Sequence, residues 1–127
     1  MSYTAGDARK FVGHSIGDGR GVAFARTAAG MPGTGAWKRG ARVRGAALAP
    51  GTAIATFDKN GRYANSPNRK SHAAIYLGQS ATGIRVLDQW LRPGHQPDGT
   101  LTKEPVAVHE RTIPFSSDDR IVYYVVE

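Results

Sequence analysis

Three short segments hold the residues whose types and spacing could support chemistry. They are the glycine-rich segment 17–21, the segment 71–77 that contains His72, and the segment 86–90 that contains Asp88 and Gln89. A histidine can act as a general base near neutral pH when a carboxylate or amide side chain fixes the tautomer of its imidazole. The sequence therefore predicts a general base at His72, with Asp88 or Gln89 as its orienting partner.

The register between two predicted strands decides which of these partners reaches the histidine. Residues two apart on a strand share a face, so His72 lies on the same face as Ala74. If a turn at residues 80–82 brings Ala74 opposite Asp88, the Asp88 carboxylate lies diagonally across from His72. A shift of one residue presents Gln89 instead, so both remain candidates. A purely structural role for His72 also remains open. Asp88 is more informative, because it lies in an apolar strand and the burial of a carboxylate without a partner is unfavourable.

The elements that must position these residues are one early helix and a series of short strands. Residues 20–29 have apolar positions at helical spacing, with Asp18 as a candidate N-cap and Gly30 as a stop signal. A helix followed by strands is typical of an α+β domain with a mainly antiparallel sheet. We expect one such domain over residues 1–127, with a polar loop at 61–70. Short apolar runs bounded by Gly, Pro, Asn or Asp predict strands at residues 52–57, 72–77, 84–90, 106–109 and 121–126.

Composition excludes several classes of protein. The chain has 127 residues and no cysteine, which excludes disulfide scaffolds, cysteine zinc sites and any thiolate nucleophile in this molecule. No apolar run is long enough to span a bilayer, and no basic head precedes an apolar stretch, so neither a membrane span nor a leader is expected. The spacing of His14, His95 and His109 fits no metal-ligand pattern, so no metal or other cofactor is expected.

The net charge of +7 is concentrated in the first half of the chain. Residues 1–50 carry eight Lys or Arg against Asp7 and Asp18, a net +6, whereas residues 51–127 carry nine against eight. Such a positive field attracts anionic partners, which include nucleic acid, acidic membranes and the anionic bacterial wall. Trp37 among the cations of segment 38–44 is one motif of nucleic-acid binding. Because a solvated basic loop has the same composition, nucleic acid is not the expected partner.

The order of these motifs resembles that of the NlpC-like and CHAP-like cysteine amidases, which have a papain-like fold. Five runs resemble, more narrowly, a small bacterial family grouped with the type VI secretion amidase effectors. They are WKRG at 37–40, GTAIATFD at 51–58, NGRY at 60–63, HAAIYLG at 72–78 and DQW at 88–90. The resemblance covers most of the chain and keeps the order of the family's motifs. It therefore implies a papain-like α+β domain, with the early helix packed on a mainly antiparallel sheet.

The resemblance also implies a site and a reaction. In that family the helix begins with Gly-Gln-Cys, and the thiol attacks an amide of peptidoglycan stem peptides, with the histidine as base. The position of this cysteine falls on Gly21, and Arg20 stands at the glutamine position. Amides at a helix N-terminus favour a thiolate and can hold the oxyanion that its attack creates. The implied site is thus His72 with Asp88 or Gln89, and Gly21 marks the missing nucleophile, so we expect no amide hydrolysis.

Partners and localisation follow from the same resemblance. It implies peptidoglycan stem peptide as the ligand, an immunity protein as a partner, and a leaderless chain that is cytoplasmic until it is secreted to the periplasm of a target cell. A monomer is expected. Two origins of Gly21 remain open, namely deliberate inactivation and natural loss of the reaction. A second functional class also remains open, namely a binding module that holds peptidoglycan or a partner protein without chemistry.

Overall fold

A six-stranded antiparallel sheet carries an α-helix on one face. This computed structural model describes residues 2–63, 71–95, 97–115 and 122–127. The α+β class predicted from the sequence is confirmed, whereas most of the predicted loop at 61–70 lies outside the described residues. Within the described ranges, the helix is α1 (Gly21–Ala29), and the strands are β1 (Arg39–Arg42), β2 (Ala53–Thr56), β3 (Ala73–Gln79), β4 (Gly83–His95), β5 (Leu101–Pro114) and β6 (Tyr123–Val126).

The strands lie in the order β1-β6-β2-β3-β4-β5, and every neighbouring pair is antiparallel. Strands β3, β4 and β5 form a meander, whereas β6 returns to lie between β1 and β2. Across the β3–β4 pair, Ile75 is the partner of Leu87. The same register sets Ala74 opposite Asp88, which is the arrangement that a turn at residues 80–82 predicts.

Helix α1 packs over β3 and β4 through the apolar stripe seen in the sequence. Phe24 and Ala25 on this stripe are fully buried. The helix ends at Ala29, and Gly30 directly after it adopts the left-handed conformation at φ 64°, because glycine has no Cβ to oppose it. The prediction that Asp18 caps the helix is wrong. The N-cap is Arg20, and Asp18 Oδ1 accepts a hydrogen bond of 3.0 Å from the Arg20 backbone N–H, one residue before the helix begins.

The two faces of the sheet carry separate apolar clusters, as the alternation of β3 predicts. Ala73 and Ile75 pack in the cluster that contains Phe24 of the helix. Ala74 and Tyr76 belong to the cluster on the opposite face. His72 directly precedes β3, so it lies at the end of the sheet, where the N-terminus of α1 also arrives.

Two strands depart most from the sequence prediction, and β4, predicted over residues 84–90, extends to His95. Strand β1 is missed because its residues are basic and mostly exposed, without apolar alternation, and it forms through pairing with β6 at the sheet edge. For β5 the sequence predicts only residues 106–109, whereas the strand pairs with β4 from Leu101 to Pro114. In both cases the partner strand, rather than the local pattern, determines the extent of the strand.

Candidate active site

The predicted base and one of its candidate partners meet at the end of β3. The His72 Nε2 atom lies 2.7 Å from the Asp88 Oδ2 atom. Asp88 is fully buried, whereas the His72 side chain is 16% exposed. An ionised carboxylate can only accept a hydrogen bond, so this contact places the proton of a neutral imidazole on Nε2 and leaves Nδ1 bare. The backbone N–H of His72 donates to Thr56 Oγ1 at 3.0 Å, which holds the residue at the sheet end.

Arg111, which the sequence analysis missed, binds the same carboxylate. Its Nε atom lies 3.0 Å from Asp88 Oδ1 and 2.9 Å from Oδ2, and its Nη2 atom lies 2.7 Å from Oδ2. Asp88 pairs with His109 across β4 and β5, so Arg111, two residues further along, is its diagonal neighbour on the same face. A strand predicted to end at residue 109 hides this neighbour. If the alternation of side chains along the strand had been extended past His109, it would have placed Arg111 on the same face as Asp88.

Two basic side chains keep the buried Asp88 carboxylate ionised. Burial by itself raises the pKa of Asp88, but the hydrogen bonds from His72 and Arg111 and the favourable electrostatic interactions with these side chains outweigh burial and hold that pKa below its ordinary value. Burial lowers the pKa of Arg111, yet the bound carboxylate leaves it above its ordinary value. Asp88 and Arg111 are therefore both charged at neutral pH, and Asp88 faces His72 as an acceptor.

Gly21, the first residue of α1, lies directly against His72. A Cβ built at Gly21 would lie 2.6 Å from His72 Cε1, 2.8 Å from His72 Nδ1 and 2.6 Å from the backbone oxygen of Ala73. Ordinary van der Waals contact begins at 3.4 Å, so any larger residue requires a displacement here. The ring nitrogen nearest to position 21 is thus the one that Asp88 does not bind. The helix start and the imidazole are in contact, and the space for a side chain at residue 21 is filled.

Gln89, the other candidate partner, does not bind His72. Its Oε1 accepts a hydrogen bond of 2.8 Å from the Ile16 backbone N–H, and its Nε2 donates at 2.7 Å to the backbone oxygens of Ile16 and Arg20. Neighbouring residues on a strand project to opposite faces, so Gln89 points towards the helix side while Asp88 points towards His72. Gln89 therefore holds segment 16–20 on the sheet and positions the start of α1.

The aromatic residue beside the basic segment 38–44, Trp37, is buried. Trp37 is only 4% exposed, its Nε1 donates to the backbone oxygen of Pro32 at 2.9 Å, and its ring packs against Tyr63. It is therefore not available to stack on a nucleic-acid base. Within the described ranges, no three His, Cys, Asp or Glu residues come together as a metal site. In the same part of the chain, no helix has the length and apolar character needed to cross a membrane.

Comparison with known proteins identifies the family. The sequence profile described as "Domesticated amidase effector 2" matches residues 2–125, nearly the whole chain. The chain belongs to the domesticated amidase effector 2 family. The membership predicted from the five sequence runs, in a family grouped with the type VI secretion amidase effectors, is confirmed.

Two relatives support this assignment to the domesticated amidase effector 2 family. The "Type VI secretion amidase effector 2 protein" of Salmonella typhi is 53% identical over 55 residues, which cover 42% of this chain and 40% of that protein. The matched segment thus spans less than half of that relative. The solved structure of "Type 6 secretion amidase effector 2 (Tae2)" is similar with a TM-score of 0.72 and 30% identity, and the match covers 98% of this chain and 94% of that chain. The predicted papain-like α+β fold is thereby confirmed.

Proposed function

We propose that this chain is a peptidoglycan-directed protein of the amidase effector family that binds stem peptides but hydrolyses no amide. The observation that carries the proposal is the contact between Gly21 and His72 at the start of α1. The substrate class, peptidoglycan stem peptide, is the one that the sequence resemblance implies, and membership in an amidase effector family supports it. The residue at the helix start determines what the chain can do with that substrate.

An amidase of this design needs a nucleophile between the base and the substrate amide. The bare Nδ1 of His72 faces residue 21, so a side chain at that position is the one from which it could take a proton. Gly21 offers only backbone, and the chain contains no cysteine. His72 and Asp88 therefore form an oriented base without a nucleophile. We infer that the reaction has been lost, whereas the pairing of His72 with Asp88 has been kept.

The packing around Gly21 favours natural loss over deliberate inactivation. Removal of a side chain from a packed site leaves a cavity, because the surroundings relax only in part. Here the volume of a Cβ is already occupied by Ala73 O and the His72 ring. The surroundings are thus adapted to glycine, which supports a chain that has evolved without the nucleophile.

The charge distribution supports binding to an anionic wall. Within the described residues, no ion pair involves Lys38, Arg39, Arg42 or Arg44 around β1, whereas Arg92 near the other edge pairs with an acid. Cations without acidic partners raise the local concentration of anionic polymers. By descent from type VI effectors we further infer delivery to the periplasm of a target cell, with an immunity protein as a partner.

Incubation of the purified chain with insoluble peptidoglycan tests both halves of the proposal. We expect co-sedimentation with the wall at low salt and no release of soluble peptide fragments. The double variant R42Q/R44Q is expected to sediment less, whereas Arg92→Gln, which removes a paired cation, serves as the matched control and retains binding. Release of fragments by the unmodified chain would overturn the loss of activity. Failure of the unmodified chain to sediment would overturn wall binding.

A further inference from the structure

Arg111 is held on two sides, and its role is not explained by family membership. One side binds the Asp88 carboxylate through Nε and Nη2. The other side lies over the ring of Trp90, with Cζ 4.6 Å from the ring centroid. Trp90 in turn contacts the His109 ring edge-on, with centroids 4.7 Å apart. A guanidinium stacked on one face and hydrogen-bonded along one edge has little freedom to rotate.

We propose that Arg111 is a positioning residue that fixes the plane of the Asp88 carboxylate and thereby the tautomer of His72. It acts through Asp88, because its hydrogen bonds in the described structure are to that carboxylate. The proposed role of Arg111 concerns the same His72–Asp88 site as the proposed function and depends on that function in no other way. It requires neither a ligand nor a reaction.

The hydrogen-bond pattern explains how an arginine can do this. A single hydrogen bond from His72 would leave the carboxylate free to rotate. Arg111 contacts both carboxylate oxygens, and Asp88 Oδ2 is shared between Arg111 Nη2 and His72 Nε2 at 2.7 Å each. The planar guanidinium therefore sets the plane of the carboxylate, and the carboxylate sets the ring orientation. A lysine would supply the positive charge, but its ammonium group is not planar and would not set the plane of the carboxylate.

Burial makes the contribution of Arg111 larger than that of a surface cation. Without it, the fully buried Asp88 would have a neutral imidazole as its remaining partner. Burial would then favour a protonated carboxyl group, which can donate to the ring nitrogen that faces it. Such a donor would move the imidazole proton to Nδ1, the nitrogen next to Gly21. Arg111 thus keeps Asp88 an acceptor and keeps Nδ1 bare.

Nitrogen NMR of the His72 side chain in the full-length chain tests the proposal. In the unmodified chain we expect Nε2 to be protonated and Nδ1 to be bare. The variant Arg111→Gln removes the charge, so that burial favours a protonated Asp88 carboxyl group that donates to His72 Nε2, and we expect the ratio of the Nε2-protonated to the Nδ1-protonated tautomer to fall about tenfold, equivalent to about 1.4 kcal/mol. Arg92→Gln is the matched control, since Arg92 lies on the same hairpin and pairs with Glu104 at 3.3 Å on the surface. This variant is expected to keep the original ratio.

A folded Arg111→Gln variant with an unchanged tautomer ratio would overturn the proposal, because Arg111 would then contribute to stability alone. A second measurement needs no variant and covers a failure of Arg111→Gln to fold. The Arg111 Nε–H proton, bound to Asp88, is expected to exchange with water at least about tenfold more slowly than that of Arg92, and equal rates would overturn the proposal. Neither result depends on wall binding or hydrolysis, so the two proposals fail separately.

Discussion

Replacement of Gly21 by alanine tests whether the start of α1 is closed against His72. At an open helix position alanine is more favourable than glycine by up to about 1 kcal/mol, because it loses less backbone entropy. In this chain the added Cβ would lie 2.6 Å from both Ala73 O and His72 Cε1, whereas ordinary contact begins at 3.4 Å. The difference of 0.8 Å must be supplied by movement of the surroundings.

Neither neighbour can move at low cost. The Ala73 oxygen belongs to the backbone of β3, between β2 and β4 in the sheet. The His72 ring can withdraw only by lengthening its 2.7 Å contact with Asp88. Overpacking of a core costs about 1–3 kcal/mol, and a 2.6 Å contact with a backbone oxygen belongs to the upper part of that range, at about 2–3 kcal/mol; subtraction of a helix-propensity gain of about 1 kcal/mol leaves an expected net destabilisation of about 1–2 kcal/mol. In a domain of this size, that corresponds to a decrease in Tm of roughly 3–8 °C.

Denaturant unfolding of Gly21→Ala and of a matched glycine variant measures this effect. Gly33 has φ −59° and would place a Cβ with no atom within 4 Å, so Gly33→Ala is expected to change the unfolding free energy by less than about 0.5 kcal/mol. A Gly21→Ala variant as stable as the unmodified chain would refute the closed packing. In a double-mutant cycle with His72→Ala, a coupling of more than about 0.5 kcal/mol is expected. A coupling energy of zero would show that the His72 imidazole is not the group with which the added Cβ collides.

Two further predictions concern the neighbours of the site. Because the pKa of Asp88 is lower in the folded chain than in the unfolded chain, its contribution to stability is complete above about pH 4 and is lost as the pH falls through the folded-state pKa. Asp88→Asn should reduce the acid slope of the unfolding free energy, and equal slopes below about pH 4 would contradict this assignment. Gln89→Leu removes three hydrogen bonds to the backbone of Ile16 and Arg20, so a loss of about 2–4 kcal/mol and faster hydrogen exchange at the Ile16 N–H are expected. Gln79→Leu, which releases a different loop, should leave Ile16 exchange unchanged, and equal effects of the two variants would argue against a local clamp.

Much of the site was predictable because it depends on local patterns and one register. The apolar stripe of α1 and the alternation of β3 are visible within about ten residues of sequence. A short turn between β3 and β4 then makes Asp88 the diagonal neighbour of His72. The observed pairing of Ile75 with Leu87 agrees with that register.

The features that could not be predicted depend on contacts between distant parts of the chain. The contact of Arg111 with Asp88 requires the full length of β5, whose polar residues pair only because β4 is present. The role of Gln89 requires segment 16–20 to return to β4, 69 residues away from Arg20. The prediction of a cap at Asp18 is wrong for a related reason. The segment that precedes the helix is held by Gln89, which is distant in sequence, and not by a capping side chain beside the helix.

The central claim, that the N-terminus of α1 touches the imidazole at the end of β3, is tested most directly by a nuclear Overhauser measurement on the unmodified chain. The Gly21 hydrogen that points where a Cβ would stand faces His72 Cε1, 2.6 Å from that Cβ position. A strong cross-peak between a Gly21 Hα and the His72 Hε1 proton is expected. The absence of this cross-peak in a fully assigned spectrum would contradict the account.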